Sequence, residues 1–212
     1  MDVTSSPSSE SASPTRGRNP RGQGERLRRD IIDATLRMMN ELGDDEALSL
    51  RAVAREVGIA ATSVYIHFAD RDALVFAALE RCTHDLMRDL DRAESAADDP
   101  VTRLRARLLF LGTWVGDHAG LYKVLHESTL NQRVHLVFKA ELGTRTTAAV
   151  QRCMDAGLAP ADEAAAVAFD LRAAVHGAVS IRVNEPGLAL PPLEEQIDRF
   201  LIKLVGVSLT KK

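Results

Sequence analysis

Residues 49–68, SLRAVAREVGIAATSVYIHF, constrain the fold more than any other stretch of the chain. They read as a short helix, a glycine turn and a second short helix. Leu50, Val53, Ala54 and Val57 recur three or four apart and form one apolar face. Ser49 stands just ahead of that face, where a hydroxyl accepts from the free N–H groups of a first helical turn. Ala54 is small where the two helices must come close. Gly58 occupies the turn, where a backbone without Cβ takes a left-handed conformation. Ile59 and Val64 anchor the second helix and leave Thr62, Ser63, Tyr65 and His67 facing outward. Two helices joined in this way form the helix-turn-helix, which places its second helix in the major groove of double-stranded DNA. The candidate DNA-binding residues of the motif are Ser49, Ala60, Ala61, Thr62, Ser63, Tyr65 and His67. No Arg or Lys falls between Ala60 and Phe68, so bidentate reading of guanine is unavailable there. Thr62, Ser63 and Tyr65 are expected to meet bases or phosphates, and Ala60 or Ala61 a thymine methyl. Phe68, and with it His67, also suits packing against the first helix.

A net charge of −3 over 212 residues is no obstacle to DNA binding, because phosphate attraction is felt locally. Between Arg16 and Arg37 seven arginines face three acids, a local excess of four positive charges. Arg28 lies off the apolar stripe of the first helix and is a candidate for phosphate. Residues 1–24 are rich in Ser, Pro, Gly and Arg, bury too little apolar area to offset ordering, and are expected to be disordered. They serve either as a plain solvated tail or as an arm reaching DNA through Arg16, Arg18 and Arg21.

Other classes are excluded by what the chain lacks. No uninterrupted apolar run of roughly eighteen residues appears, so no membrane span is expected. The N-terminus has no apolar core of a secretory signal. Cys82 and Cys153 lack disulfide or metal-ligand spacing and read as small buried apolar residues of a cytoplasmic protein. There is no G-x-S-x-G, Walker loop, H-E-x-x-H or C-x-x-C, so neither an enzyme nor a cofactor is expected. The histidines show no convincing metal-binding pairing.

The remaining pattern predicts an all-α fold of about nine helices, with no alternating strand pattern. The first helix covers residues 25–42 with a stripe of Leu27, Ile31, Ala34, Met38 and Leu42, ended by Gly43. The fourth spans about 70–97 with Asp70 as its cap. The fifth starts near Pro100 and breaks at 118–120 into a short sixth. The seventh spans about 131–156, the eighth 161–184 and the ninth 193–209. The eighth is apolar almost all round: Ala164, Val167, Ala168, Leu171, Val175 and Ala178 define one face, and Phe169, Ala173 and His176 point elsewhere. A lone copy would expose one of these surfaces or that of the ninth helix. A homodimer through helices eight and nine, with Gly177 and Gly206 allowing close approach, would cover them.

The segment YIHFADRDAL, residues 65–74, resembles the aromatic–His–Phe signature that closes the helix-turn-helix of tetracycline-repressor-like (TetR-type) transcription regulators. The resemblance is strong over residues 27–79. Arg71 matches a basic position in the first turn of the next helix, where Lys is commoner, and is expected to touch phosphate. HAGLYKVL, residues 118–125, resembles the family's "HPxLYxL" corner, with Ala119 in place of proline. Val175-His176-Gly177 resembles a W-H-G element of one subgroup, with Val in place of Trp. The resemblance implies a DNA-binding domain over 25–75, a ligand-binding and dimerisation domain over 76–212, and a palindromic or pseudo-palindromic operator. It also implies a small-molecule pocket among helices five to eight, for which the candidates are Phe110, Trp114, Tyr122, Phe138, Phe169, Arg172 and His176. The function so implied is a homodimeric repressor released from DNA by a small apolar or amphipathic ligand. The alternative is the same fold with no such ligand, controlled by a protein partner or by abundance.

Overall fold

The computed structural model describes residues 23–129 and 137–209, and the described residues form helices and no strand. In chain order these are α1 (Gln23–Leu42), α2 (Leu50–Val57), α3 (Ala61–His67), α4 (Arg71–Ser95), α5 (Pro100–Asp117), α6 (Ala119–Glu127), α7 (Val137–Asp155), α8 (Ala164–Asn184) and α9 (Leu193–Phe200). A π-helical turn, Leu201–Val205, prolongs α9, and Gly206 ends it with φ 76°. The ninth helix therefore stops short of the expected residue 209. Residues 1–22, with Arg16, Arg18 and Arg21 of the expected arm, and the expected start of the seventh helix lie outside the described residues.

Local chemistry sets the helix ends. Ser49 Oγ accepts from the Ala52 N–H at 3.2 Å and caps α2. Gly58 closes α2 in the left-handed region, φ 76°. Asp70 accepts from the Ala73 N–H at 2.7 Å at the start of α4. Asp99 and Thr102 form a reciprocal capping box ahead of Pro100. The expected break between α5 and α6 is complete despite the missing proline, and falls on His118 alone (φ −129°, ψ 42°). On α1 the buried line is rotated from the expected stripe. Leu42 is exposed and Met38 only half-buried, whereas Ile32, Thr35 and Met39 are buried. Thr35 joins the buried line because its hydroxyl donates to the Ile31 carbonyl at 2.8 Å and so carries no unsatisfied polar atom inside.

Two apolar cores result. The first packs α1 to α4 around Ile31, Val53, Ala54, Val64, Phe68, Leu74 and Ala78, and extends through Leu79 and Cys82 to Leu121, Val124 and Leu125 of α6. Apolar packing is thus continuous across the expected boundary at residue 75. Burial pushes the Cys82 thiol up to about 12. At Gly120 the backbones of α6 and α1 almost touch: a Cβ there would stand 2.0 Å from the Asn40 carbonyl oxygen. The Asn40 side chain reinforces the contact, accepting from the Leu121 N–H at 3.2 Å and donating to the Asp117 carbonyl at 3.4 Å.

The second core gathers Leu104, Leu108, Val150, Cys153, Ala168, Leu171, Ile197 and Leu201 from α5, α7, α8 and the α9 region. Among the described residues α8 is the one helix long and apolar enough to cross a membrane by length and composition, and its buried face is part of this core. The opposite face stays exposed, with Phe169 67% and Ile181 40% accessible, near Ala173 and His176. The two glycines expected at an intermolecular contact differ. Gly177 has open space around it, while Gly206 meets Pro160 of its own chain, where a Cβ would stand 2.7 Å from Cδ.

Candidate nucleic-acid interface and ligand cavity

The outer surface of α3 is built by its one fully buried residue. Val64 has no accessible surface and holds the helix against the first core. Everything roughly a half-turn away is then turned outward. Thr62 is exposed, Tyr65 is 55% and Ile66 80% accessible, Ala60 is exposed at the N-cap, and Ala61 and Ser63 are half-buried. Ile66 was not among the sequence-derived candidates. It is the most exposed large apolar side chain of the described residues, and an aliphatic group there suits a thymine methyl. Phe68 is buried and His67 half-buried. His67 lies by Gly24 at the start of α1, so both residues close the motif against α1. Ser49 has its oxygen in the α2 cap yet remains exposed.

The two expected phosphate contacts are both held by the chain itself. Arg71 Nε and Nη2 donate to Asp72 Oδ1 at 3.1 and 2.8 Å, and Nη1 donates to the Asp45 carbonyl at 2.9 Å. Nη2 also lies 3.6 Å from Asp45 Oδ2, a carboxylate whose side chain is 2% exposed. Arg71 is therefore a clasp between the α1–α2 loop and α4, a role invisible in sequence because its partner lies 26 residues away. Arg28 sits with its Cζ 5.2 Å from the centre of the Phe68 ring, a cation–π contact that covers the end of the motif.

Behind the head, residues of α4 to α8 line a partly open cavity of about 270 Å³. Leu86, Leu108, Leu111, Trp114, Leu125, Leu142, Val175 and Val179 give it an apolar wall. Of the sequence candidates, Trp114, Tyr122, Phe169, Arg172 and His176 line this space. Phe110 does not. Positions 107, 111 and 114 share one stripe of α5, and Phe110, just off it, packs by Leu86, Met87 and Leu90 and lines a different hollow. The Phe138 side chain lies outside the described residues.

Polar groups converge on one end of the cavity. The Tyr122 hydroxyl hydrogen-bonds His176 Nδ1 at 2.5 Å. The His126 ring centre stands 4.5 Å from that of Tyr122 and 4.8 Å from that of His176. Burial, then the charges of His176, Lys139 and Arg172, hold His126 down to about 3, so it is neutral at ordinary pH. Burial raises the Tyr122 hydroxyl, which stays protonated. Arg107 also lines the cavity and is 2% exposed. It was missed because R-x-R-x-R on a helix reads as a solvated face. Its Nη1 donates to Glu94 at 2.6 Å, while its Nη2 has no acceptor.

Two family profiles cover this arrangement. Bacterial regulatory proteins of the tetR family match residues 31–78, and a tetracyclin repressor-like C-terminal domain matches residues 104–205. The chain belongs to the TetR family. It is a DNA-binding transcriptional regulator and not an enzyme. An HTH-type transcriptional regulator of Haemophilus influenzae is 48% identical over 52 residues, 24% of this chain; the match spans only a quarter of that relative's length. Solved TetR-like structures superpose over most of the chain. A putative transcriptional regulator from Saccharomonospora viridis in complex with choline has a TM-score of 0.75 at 18% identity, covering 87% of this chain and 100% of its own. SmeT, the repressor of the Stenotrophomonas maltophilia multidrug efflux pump SmeDEF, has 0.68 at 24% identity, covering 84% and 90%. SmeT is also known in complex with triclosan, at 22% identity. At these identities the likeness concerns the TetR fold, and the residues of the cavity are this chain's own.

Proposed function

We propose that the chain acts as a homodimeric repressor whose operator binding is released by a small amphipathic molecule held in the α4–α8 cavity. The observation that carries this reading is the cavity itself: an apolar chamber with a few converging polar groups, the usual make-up of a small-molecule site. Its walls reach the head by two routes. Leu86 is on α4, whose first turn is clasped to the α1–α2 loop by Arg71. Tyr122, Leu125 and His126 are on α6, which packs on α1. SmeT, a protein of this fold, takes the small molecule triclosan, which supports a small-molecule ligand here.

The exposed face of α8, with Phe169, Ala173 and Ile181, and the exposed Ile202 beyond α9, support a two-fold contact between copies. Such a dimer presents two α3 helices to successive major grooves of a palindromic operator, with half-sites roughly 34–36 Å apart. Ala60, Ala61, Thr62, Ser63, Tyr65 and Ile66 then read the groove, and Ser49 and the α1 arginines lie toward the backbone. Ligand that favours a different spacing lowers operator affinity, and operator lowers ligand affinity by the same factor.

The test is a titration of full-length protein with the DNA upstream of its own gene, at several salt concentrations and with candidate ligands, beside sedimentation of the free protein. The reading expects a dimer, salt-dependent specific binding and a ligand that releases it. A monomer on DNA, or a tight ligand that binds free and operator-bound protein equally, overturns it and favours control by a protein partner or by abundance.

A further inference from the structure

The exposed part of the cavity wall belongs to one helix. Of the 16 residues that line the cavity, those from α4 to α7 are all buried or half-buried. The exposed ones are Phe169, Arg172, Ala173 and His176, and all four are on α8. The chain itself thus covers the walls given by α4 to α7, while the wall given by α8 meets the surface. Phe169 is 67% accessible at this mouth. An aromatic ring so placed leaves both itself and the apolar chamber behind it in contact with water, as at a surface that another molecule covers.

The same helix carries an uncharged line. Phe169, Ala173, Gly177 and Ile181 follow at intervals of four and share a face. Phe169, Ala173 and Ile181 are exposed, and Gly177 has open space where a Cβ would stand. The line reads large, small, small, large. In a two-fold contact residue i of one copy meets residue j of the other, and j meets i. Turned over about Val175, its midpoint, the line fits itself: Phe169 meets the partner's Ile181, and Ala173 meets the partner's Gly177. The small pair lets the two helices approach closely, and the large pair fills the space at either end. A second copy supplies the complement that one chain lacks.

Phe169 and Ala173 belong to both features, the mouth and the line. We infer that each cavity is completed by the second copy: the partner's Ile181 packs over Phe169 and closes the mouth, so that a ligand is enclosed only in the dimer. This rests on the homodimeric, ligand-gated reading above and places the ligand against the dimer contact. Ile181 lines no part of its own chain's cavity, yet it contributes to binding in the other copy. By linkage, ligand tightens the dimer by the factor by which the dimer tightens ligand.

N-phenyl-1-naphthylamine, an uncharged apolar fluorophore, serves as the probe. Trp114 is the chain's one tryptophan and lines the cavity, so energy transfer from it to the probe reports occupancy. Titrations of the full-length protein are set beside sedimentation with and without probe. G177E puts two carboxylates into the contact without touching the cavity lining, and the open space at Gly177 spares the fold. It should sediment as a monomer, melt no earlier than a parent diluted to monomer, and bind the probe about tenfold more weakly. I181A should remain a dimer and lose about threefold, although Ile181 is outside its own chain's cavity. The probe should strengthen the parent dimer. A monomeric G177E that binds the probe like the parent overturns the inference, as does a dimeric G177E, an I181A with parent affinity, or a parent that takes up no probe. Release of upstream DNA is measured in parallel. If the probe releases DNA from the parent and monomeric G177E binds it equally well, the gated regulator stands and the shared cavity falls. If the probe binds only the dimer and leaves DNA affinity unchanged, the shared cavity stands and gating falls.

Discussion

The head and the cavity treat their polar side chains in opposite ways. In the head the polar groups at helix ends are engaged within the chain: Ser49 and Asp70 cap α2 and α4, and Arg71 clasps Asp72 and the Asp45 carbonyl. Asp45 Oδ2 lacks a hydrogen bond but has the Arg71 charge at 3.6 Å. What α3 leaves for DNA is hydroxyl and hydrocarbon, Thr62, Ser63, Tyr65 and Ile66. Beside the cavity, Arg107 is buried with one branch on Glu94 and the other without an acceptor, a loss of about 1–3 kcal/mol. The head presents a finished surface to a partner that is always the same polymer. The cavity instead gathers imidazole rings, a phenol and guanidinium groups at one end of an apolar wall.

Substitutions sharpen that contrast, and the largest effect belongs where head and body meet. Gly120→Val should cost about 3 kcal/mol, because the added side chain drives into the α1 backbone rather than a movable side chain. Gly116→Ala, on α5 with open space around it, should be neutral or stabilising by up to about 1 kcal/mol. Denaturant melts of both compare them directly, and equal midpoints would remove the close contact from the account.

Next comes the clasp. Arg71→Ala leaves the buried Asp45 carboxylate without its cation and should destabilise the chain by roughly 2–3 kcal/mol, less than for a fully buried pair because the guanidinium is partly solvated. Asp45→Asn in the same background should recover part of the loss. If Arg71→Ala melted like the parent and only weakened DNA binding, the clasp would contribute nothing to stability and the expected phosphate contact would be its whole role.

On the reading surface the expectation reverses. Tyr65→Ala should weaken operator binding by about 1–3 kcal/mol and Ile66→Ala by about 1 kcal/mol, with melting unchanged, since both side chains are largely exposed. A fall in melting temperature with unchanged operator affinity would make them structural.

A last effect is a pH slope from the cavity. His126 is held down to about 3 when folded, against an ordinary value of 6.5. Between those values the unfolded chain binds a proton that the folded chain refuses. Its contribution is therefore fully present above pH 6.5 and is lost as pH falls toward 3, by at most about 1.4 kcal/mol per pH unit. His126→Gln should flatten the slope in that window, and an unchanged slope would assign acid sensitivity elsewhere.

Short-range chemistry was legible in the sequence. The capping oxygens of Ser49 and Asp70, the left-handed Gly58 and the break at His118 act on residues a few positions away, so spacing alone reveals them. The all-α fold follows from the same periodicity. Interactions that close over long loops were not legible. Arg71 pairs back to Asp45, Arg107 turns inward to Glu94, and the rings of His126 and His176 meet from α6 and α8. In each case the residue type is one that spends most of its occurrences on a solvated face, and only the packing of other helices decides otherwise. Ile66 is the converse. An isoleucine beside Tyr65 reads as core, yet the short α3 has only one side to bury and Val64 takes it.

The contact at Gly120 also has a mechanical meaning. At ordinary helix crossings a layer of side chains lies between the two backbones, and small displacements are absorbed by rotamer changes within that layer. At Gly120 that layer is missing, and the α6 backbone faces the α1 backbone with the Asn40 side chain fastening the edge. At that point the joint has little room to yield. Tyr122 and His126, which border the cavity, follow Gly120 on the same short helix, and Arg28 and Phe68 couple α1 to the end of α3. A shift of α6 toward α1 at this point therefore meets backbone at once, so that a stiff joint lies between the cavity and the surface α3 presents to DNA.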